Sequence, residues 1–283
     1  METEMTDPAR PAVPDQGYWS RSGGSAWADL QTLMDRLYQP IGEAVADRAD
    51  PPVGARVLDV GCGAGATTLD LARRVGPTGH CTGVDISAPL LEAARRRAVA
   101  TANVDFIEAD AQTHDFGEAT FDAVTSRFGV MFFTDPDAAF ANLRRATKPG
   151  GRLTFACWRA VAENALTQVP LEAATPFLPD LPPPLPVDAP GRFAFADPEK
   201  VRGILHRSGG RTSITPLDTP TPLSLDEMLD LGLKFGVLGT ALPQQDETVR
   251  AQVRAAVTDR LNVHLRDGII PMSAACWLVS ARR

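Results

Sequence analysis

The stretch Arg56–Thr68, RVLDVGCGAGATT, constrains what this chain can fold into more than any other. Val57, Leu58 and Val60 form the short apolar run expected of a strand buried on both faces of a parallel sheet. Gly61, Gly63 and Gly65 follow, where a missing Cβ lets the backbone turn tightly and touch a ligand. Helix formers resume at Ala66, and Leu69, Ala72 and Val75 give that helix one apolar stripe. A strand, a glycine turn and a helix at this spacing build a nucleotide site in an open α/β sheet.

Charge narrows the choice of nucleotide. A dinucleotide site sets a pyrophosphate on the helix N-terminus and favours G-x-G-x-x-G. Here Ala66 takes the last place of that pattern, so spacing alone decides little. Asp59 decides more: a carboxylate at the end of the first strand repels a pyrophosphate but suits an ammonium and a sulfonium. S-adenosylmethionine carries both. Thr82-Gly83-Val84-Asp85 is a second apolar strand ending in an acid, 20 residues beyond Gly65, where ribose hydroxyls need an acceptor. Phe106-Ile107-Glu108-Ala109-Asp110 is a third, with Asp110 suited to the adenine amino group. Strand-end acids also cap following elements, and that remains the alternative for each singly.

VLDVGCGAG, GVDIS, EADA and LRRATKPGGRL stand in this order along the chain. On these motifs, over about Val57–Trp158, the chain resembles the class I S-adenosylmethionine-dependent methyltransferases. Within them it is similar to the small-molecule group related to the ubiquinone/menaquinone-biosynthesis methyltransferases. The resemblance implies an α/β, doubly wound, Rossmann-like sheet of seven strands, ordered 3-2-1-4-5-7-6 with the last strand antiparallel. It also implies N-terminal helices, a helical insertion before the last strand, and S-adenosylmethionine as cofactor, leaving as S-adenosylhomocysteine.

Along the chain, residues 1–50 are expected to form a mobile arm and an N-terminal helical cap. Residues 51–160 form the cofactor-binding core, and 161–283 the rest of the core with acceptor-covering insertions at about 161–195 and 221–266. A helix begins at Ser25 and Pro40 breaks it; a second runs to Asp50-Pro51-Pro52. Later signals are Ser87 as a helix cap, Asp135-Pro136 opening a helix, and Pro149-Gly150-Gly151 ending it before a strand at Arg152–Trp158. Seven prolines within residues 176–190 exclude regular structure there. Asp197-Pro198 opens a helix, Thr212–Leu217 reads as a strand, and Ser224-Leu225-Asp226-Glu227 is a capping box. A helix over Glu247–Leu265 and an alternating strand over Met272–Ala281 complete the chain.

Net charge of −7 argues against non-specific capture of nucleic acid. No segment is apolar enough to span a bilayer, and METEMTDPAR lacks a signal-peptide core. Cys62, Cys81, Cys157 and Cys276 are widely spaced, which fits reduced thiols in a cytoplasmic monomer or homodimer. No grouping has metal-ligand spacing.

The expected cofactor site comprises Asp59, Gly61, Cys62, Gly63, Gly65, Asp85, Ile86, Asp110, Ala111, Arg127 and Phe128. Arg127 either meets the cofactor carboxylate or an anionic acceptor, or pairs with a structural acid. Resemblance adds Trp19, beside Tyr18, over the methionine end. Phe128, Met131, Phe132, Trp158 and Asn164 are expected to line the acceptor pocket; for the apolar ones, core under the following helix is the alternative. Glu163-Asn164 resembles a pattern that orients the acceptor in part of the group. His264, on the face of Val253 and Val257, is either a general base or a core histidine.

The expected function is methyl transfer from S-adenosylmethionine to O, N or C of a small hydrophobic metabolite by in-line displacement. The alternatives are non-methyl chemistry on the same cofactor and, from another class, an NAD(P)-dependent oxidoreductase.

Overall fold

Val57, Leu58 and Val60 are almost fully excluded from solvent in β1 (Arg56–Val60), as a strand covered on both faces requires. The computed structural model describes residues 16–20, 22–183, 186, 189–209 and 211–283, the side chains of Gln16 and Ser22 excepted. The expected mobile arm, apart from Gln16, lies outside the described residues, as do four positions of the proline-rich stretch.

Around β1 run β2 (His80–Asp85), β3 (Val104–Glu108), β4 (Phe121–Arg127), β5 (Thr147–Trp158), β6 (Arg211–Pro220) and β7 (Ser273–Arg282). They form one seven-stranded sheet in the order 3-2-1-4-5-7-6. The first five strands are parallel, and β7 is antiparallel to both β5 and β6. Order reverses between β1 and β4, which opens a crevice beyond their carboxyl ends.

The helices cover both faces. α1 (Gln16–Trp19), α2 (Ser22–Asp29) and α3 (Gln31–Ala49) precede the sheet. α3 packs on β4, β5 and α4 (Ala66–Val75), while α5 (Ala88–Arg97) packs on β3 and α2. On the opposite face, α6 (Pro136–Ala146) follows β4, with the Asp135 carboxylate accepting from the Ala138 N–H at 3.0 Å. The short α7 (Val169–Ala174) leads toward α8 (Pro198–Arg207), capped by Asp197. Before β7 come α9 (Leu225–Lys234), α10 (Gly236–Ala241) and α11 (Glu247–Asn262), with the Ser224/Glu227 capping box formed as expected. Phe140, Phe155 and Phe195 pack in the core between β5 and the helices.

Four local expectations are corrected. Pro40 lies inside α3 rather than breaking it, because Met34, Leu37, Ile41 and Val45 keep one buried stripe past it. Tertiary packing outweighs the helix-interior cost of proline, about 3 kcal/mol. β5 starts at Thr147, and Pro149-Gly150-Gly151 falls within it, where the β4–β5 register shifts between Phe121 and Ala123. The Ser87 hydroxyl does not cap α5; it donates to the Trp19 carbonyl at 2.7 Å. α11 stops at Asn262, so His264 lies in the turn beyond it.

Asn164 ties the segment after β5 to β7. Its Oδ1 accepts from the Ala275 N–H and its amide donates to the Ala275 carbonyl, both at 3.0 Å, as a strand neighbour would. Replacing Asn164 by Ala leaves that buried pair unmet, so Asn164→Ala should cost about 2–4 kcal/mol. Urea unfolding is the measurement; an unchanged midpoint would show that Asn164 is not the bracket described here.

Candidate active site

The three glycines of the β1–α4 turn have left-handed φ values of 65°, 54° and 80°, yet only one faces open space. A Cβ on Gly61 would lie 2.6 Å from the Gly129 Cα, so the loops after β1 and β4 touch backbone to backbone. A Cβ on Gly65 would press on Ala94 and Phe106 at 3.0–3.2 Å; this glycine serves helix–sheet packing. Around Gly63 the nearest atom is Leu90 Cδ1 at 4.0 Å, leaving room for a ligand against the backbone. Cys62, expected at the cofactor, is buried within the turn, with its thiol packed toward Gly83 and its N–H bonded to the Val84 carbonyl.

Asp59 lies beneath this turn, 1% exposed. Thr68 Oγ1 donates to its carboxylate at 2.7 Å and Thr125 Oγ1 at 3.2 Å. Burial pushes its carboxyl up to about 6, against the pull of the Thr68 bond, the Arg127 charge and the Thr125 bond. Arg127 is drawn into the interior from the end of β4, and its Nη1 donates to the Tyr38 carbonyl at 3.2 Å. It forms no ion pair with a carboxylate among the described residues, so its field is the main positive charge facing Asp59. A cleft of about 260 Å³ between α3 and α4 is bordered by Arg127, Thr67, Asp35 and Arg97.

At the next strand end, Asp85 accepts from the Gly63 N–H at 2.8 Å and the Ser87 N–H at 2.9 Å. Burial raises its carboxyl, and those backbone bonds oppose the rise. Ile86 is half-buried beside it, and its carbonyl accepts from the Ser20 hydroxyl at 3.4 Å. Asp110 is exposed beyond β3, with one oxygen on the Gln112 N–H at 2.8 Å; Ala111 beside it is buried. Trp27 packs against Ala64, Leu90 and Ala93, so α1 and α2 lie over the glycine turn and the Asp85 end.

The acceptor side is aromatic. Phe128 and Trp158 stack with centroids 4.8 Å apart, and Tyr38 meets both edge-on. Phe128 adopts φ 69°, a strained value for a side chain with a Cβ, held by its N–H bond to the Ala156 carbonyl. Met131 is buried and its sulfur receives the Trp158 N–H, whereas Phe132 is half-exposed and meets Trp19 edge-on at 5.3 Å.

Three expected residues stand elsewhere. Asn164 has spent its amide on Ala275. Glu163 pairs at the surface with Arg159, its i−4 neighbour, which also holds Asp218. His264 is half-buried after α11, a helix packed on α7 and α9. Tyr38, Thr68, Thr125, Gly129 and Arg192 adjoin these residues although no local signal in the sequence marks them. Periodicity places Tyr38 on a helix but carries no sign of which ring meets which strand end.

Because the folded state holds the Asp59 proton more tightly than a free carboxylate does, the resulting stability is complete below pH 3.8 and is lost as pH rises through about 6. The difference amounts to about 3 kcal/mol. Asp59→Asn should therefore be more stable than the parent at pH 7.5 and match it near pH 4, while binding a cationic ligand at least tenfold more weakly. Thermal unfolding at both pH values and calorimetry with S-adenosylmethionine test this; unchanged affinity would remove Asp59 from the site.

Residues 57–151 match the family model described as a methyltransferase domain. The aklanonic acid methyltransferase DauC of Streptomyces sp. (strain C5) is 34% identical over 136 residues, 46% of this chain and 62% of that protein. The ubiquinone/menaquinone biosynthesis C-methyltransferase UbiE of Pseudomonas aeruginosa is 37% identical over 118 residues, 41% of this chain and 46% of that one. The chain thus spans about half the length of the curated relatives it matches. The solved YcgJ protein of Bacillus subtilis superposes with a TM-score of 0.59 over 86% of this chain and 97% of its own. At 18% identity it speaks for the fold alone. None of these supports an oxidoreductase. By motif order and family match together, residues 57–151 carry a methyltransferase domain, set in a seven-stranded sheet of order 3-2-1-4-5-7-6.

Proposed function

We propose that this protein transfers a methyl group from S-adenosylmethionine to a small, hydrophobic acceptor. The observation that carries the reading is the buried Asp59 carboxylate beneath an open glycine turn, with no hydrogen-bonded cation of its own. Such a charge disfavours the pyrophosphate of a dinucleotide and favours an ammonium and a sulfonium. Asp85, held by the Gly63 and Ser87 amides, would accept from the ribose hydroxyls, and Asp110 from the adenine amino group.

When bound, S-adenosylmethionine supplies an electrophilic methyl: the acceptor's lone pair forms the new bond while the sulfur–carbon pair returns to sulfur. The protein's part is to hold nucleophile, methyl and sulfur in line and exclude water. Trp19, Phe128, Met131, Phe132 and Trp158 supply an apolar surround for that geometry. A proton lost from an O- or N-acceptor passes to solvent unless a base intervenes. His264 is a base only if the segment after α11 moves inward, and Glu163 only if Arg159 releases it.

The names of the relatives, an aklanonic acid methyltransferase and a ubiquinone/menaquinone biosynthesis C-methyltransferase, support a small-molecule acceptor. The acidic net charge supports a protein that does not hold nucleic acid. Among the described residues no helix is long and apolar enough to cross a membrane. Four buried free thiols support a reducing, cytoplasmic setting.

Thermal unfolding with S-adenosylmethionine, S-adenosylhomocysteine, NADH and NADPH in parallel tests the reading. At about a hundred times its dissociation constant, the right ligand adds roughly 2.7 kcal/mol of stability. The two sulfur compounds should raise the midpoint and the nicotinamides should not; the reverse would overturn the proposal.

A further inference from the structure

Tyr38 and Arg192 both lie against Trp158, at the β5 end of the aromatic layer. Tyr38 is 7% exposed, yet its hydroxyl has no hydrogen-bond partner among the described residues. The hydroxyl itself is not wholly enclosed. Its ring lies among Trp27, Phe128 and Trp158, at the carboxyl ends of β4 and β5. A phenol in such surroundings normally finds a partner, because an unmet hydroxyl is costly in an apolar setting.

Arg192 is held over the same place. The Gly191 N–H donates to the Met131 carbonyl at 3.1 Å, and Trp277 Nε1 donates to the Ala196 carbonyl at 2.8 Å, which fixes the segment across the end of β5. The Arg192 guanidinium then lies over the Trp158 ring, 5.0 Å from its centroid. It has no carboxylate partner among the described residues, although most arginines of this protein have one or donate to a carbonyl. Its charge is felt by Tyr18 and by Tyr38, where, with Arg127, it counters the upward push of burial on the phenol.

We propose that Tyr38 and Arg192 form the polar end of the acceptor pocket and select a planar aromatic acid. The anionic oxygens would meet the Arg192 guanidinium and accept from the Tyr38 hydroxyl, while the ring system packs beside Trp158, Phe132 and Trp19. Two features favour this class over a neutral or cationic acceptor. The rings already present, above all the near-parallel Phe128 and Trp158 at 13°, favour a flat molecule. A guanidinium resting on an indole face and unmatched by an acid keeps its donors for an incoming carboxylate or phenolate. The inference rests on the methyltransferase reading for where the acceptor lies, and deepens it by naming the acceptor's charge and shape.

The test uses anthraquinone-2-carboxylate and its neutral 2-hydroxymethyl counterpart, titrated into the full chain with and without S-adenosylhomocysteine and followed by tryptophan fluorescence. The acid should bind at least tenfold more tightly than the alcohol. Arg192→Met, at an exposed position, should bring that ratio close to one by weakening the acid. Tyr38→Phe, which keeps the ring packing, should weaken the acid about three- to tenfold relative to the alcohol. Equal affinities in the parent, no binding of the acid, or an unchanged ratio in Arg192→Met would each overturn the proposal. Loss of S-adenosylhomocysteine binding in the parent would instead overturn the cofactor reading, with the acid-to-alcohol ratio still measurable.

Discussion

A single buried carboxylate organises this protein. Asp59 sits within β1, where a charge is expensive, and two threonine hydroxyls from β4 and α4 accept its company by donating to it. Those two bonds join the strands and helix that flank the switch point, while Arg127 balances the charge from the end of β4 without pairing with it. The carboxyl therefore stays partly desolvated and high, a condition that a bound cation relieves. Stability is given up so that the ground beneath the glycine turn is negative, which is the trade expected at a functional site rather than in a core.

From that centre the remaining architecture serves cover and shape. α1 and α2 are fastened across the Asp85 end by the Ser87 and Ser20 hydroxyls and by Trp27 against the helix α5 face. Their rings continue into Tyr38, Phe128 and Trp158, so one aromatic layer runs from the N-terminal cap to the end of β5. Opposing ends of this layer differ in charge: acids lie under the glycine turn and beyond β2, whereas Arg192 lies over Trp158. A cationic cofactor and an anionic acceptor would each meet the sign that suits it.

Several local rules bend to meet these demands. Phe128 accepts a left-handed backbone because its amide must reach Ala156 while its ring lies on Trp158. Pro40 is tolerated in α3 because the buried stripe on either side of it packs against the sheet. Asn164 imitates a strand residue so that the chain leaving β5 stays beside β7. In each case a tertiary contact outweighs a local preference.

The strands, their order and the gathering of the glycine turn with the strand-end acids were legible in the linear pattern. Continuous apolar runs, a glycine turn and acids at three strand ends are local signals, set by sterics and by charge next to backbone. Division of labour among the glycines was not legible: spacing treats Gly61, Gly63 and Gly65 alike, and only packing shows that Gly63 alone faces open space. Nor was the fate of Glu163 and Asn164, since an ion pair with Arg159 and a bracket on Ala275 depend on which strands the last segment joins. Tyr38 and Arg192 lie far apart in sequence and both reach Trp158 only because α3 crosses the ends of β4 and β5 while residues 191–196 are tied across the same edge. The sequence by itself determined that a glycine turn stands over a strand-end carboxylate and which strands hold it, because those features are written in neighbouring residues. Which polar groups remain unspent, and therefore free to meet an acceptor, was decided by the tertiary structure, because satisfaction of a hydrogen bond or a charge is a property of what the fold brings near.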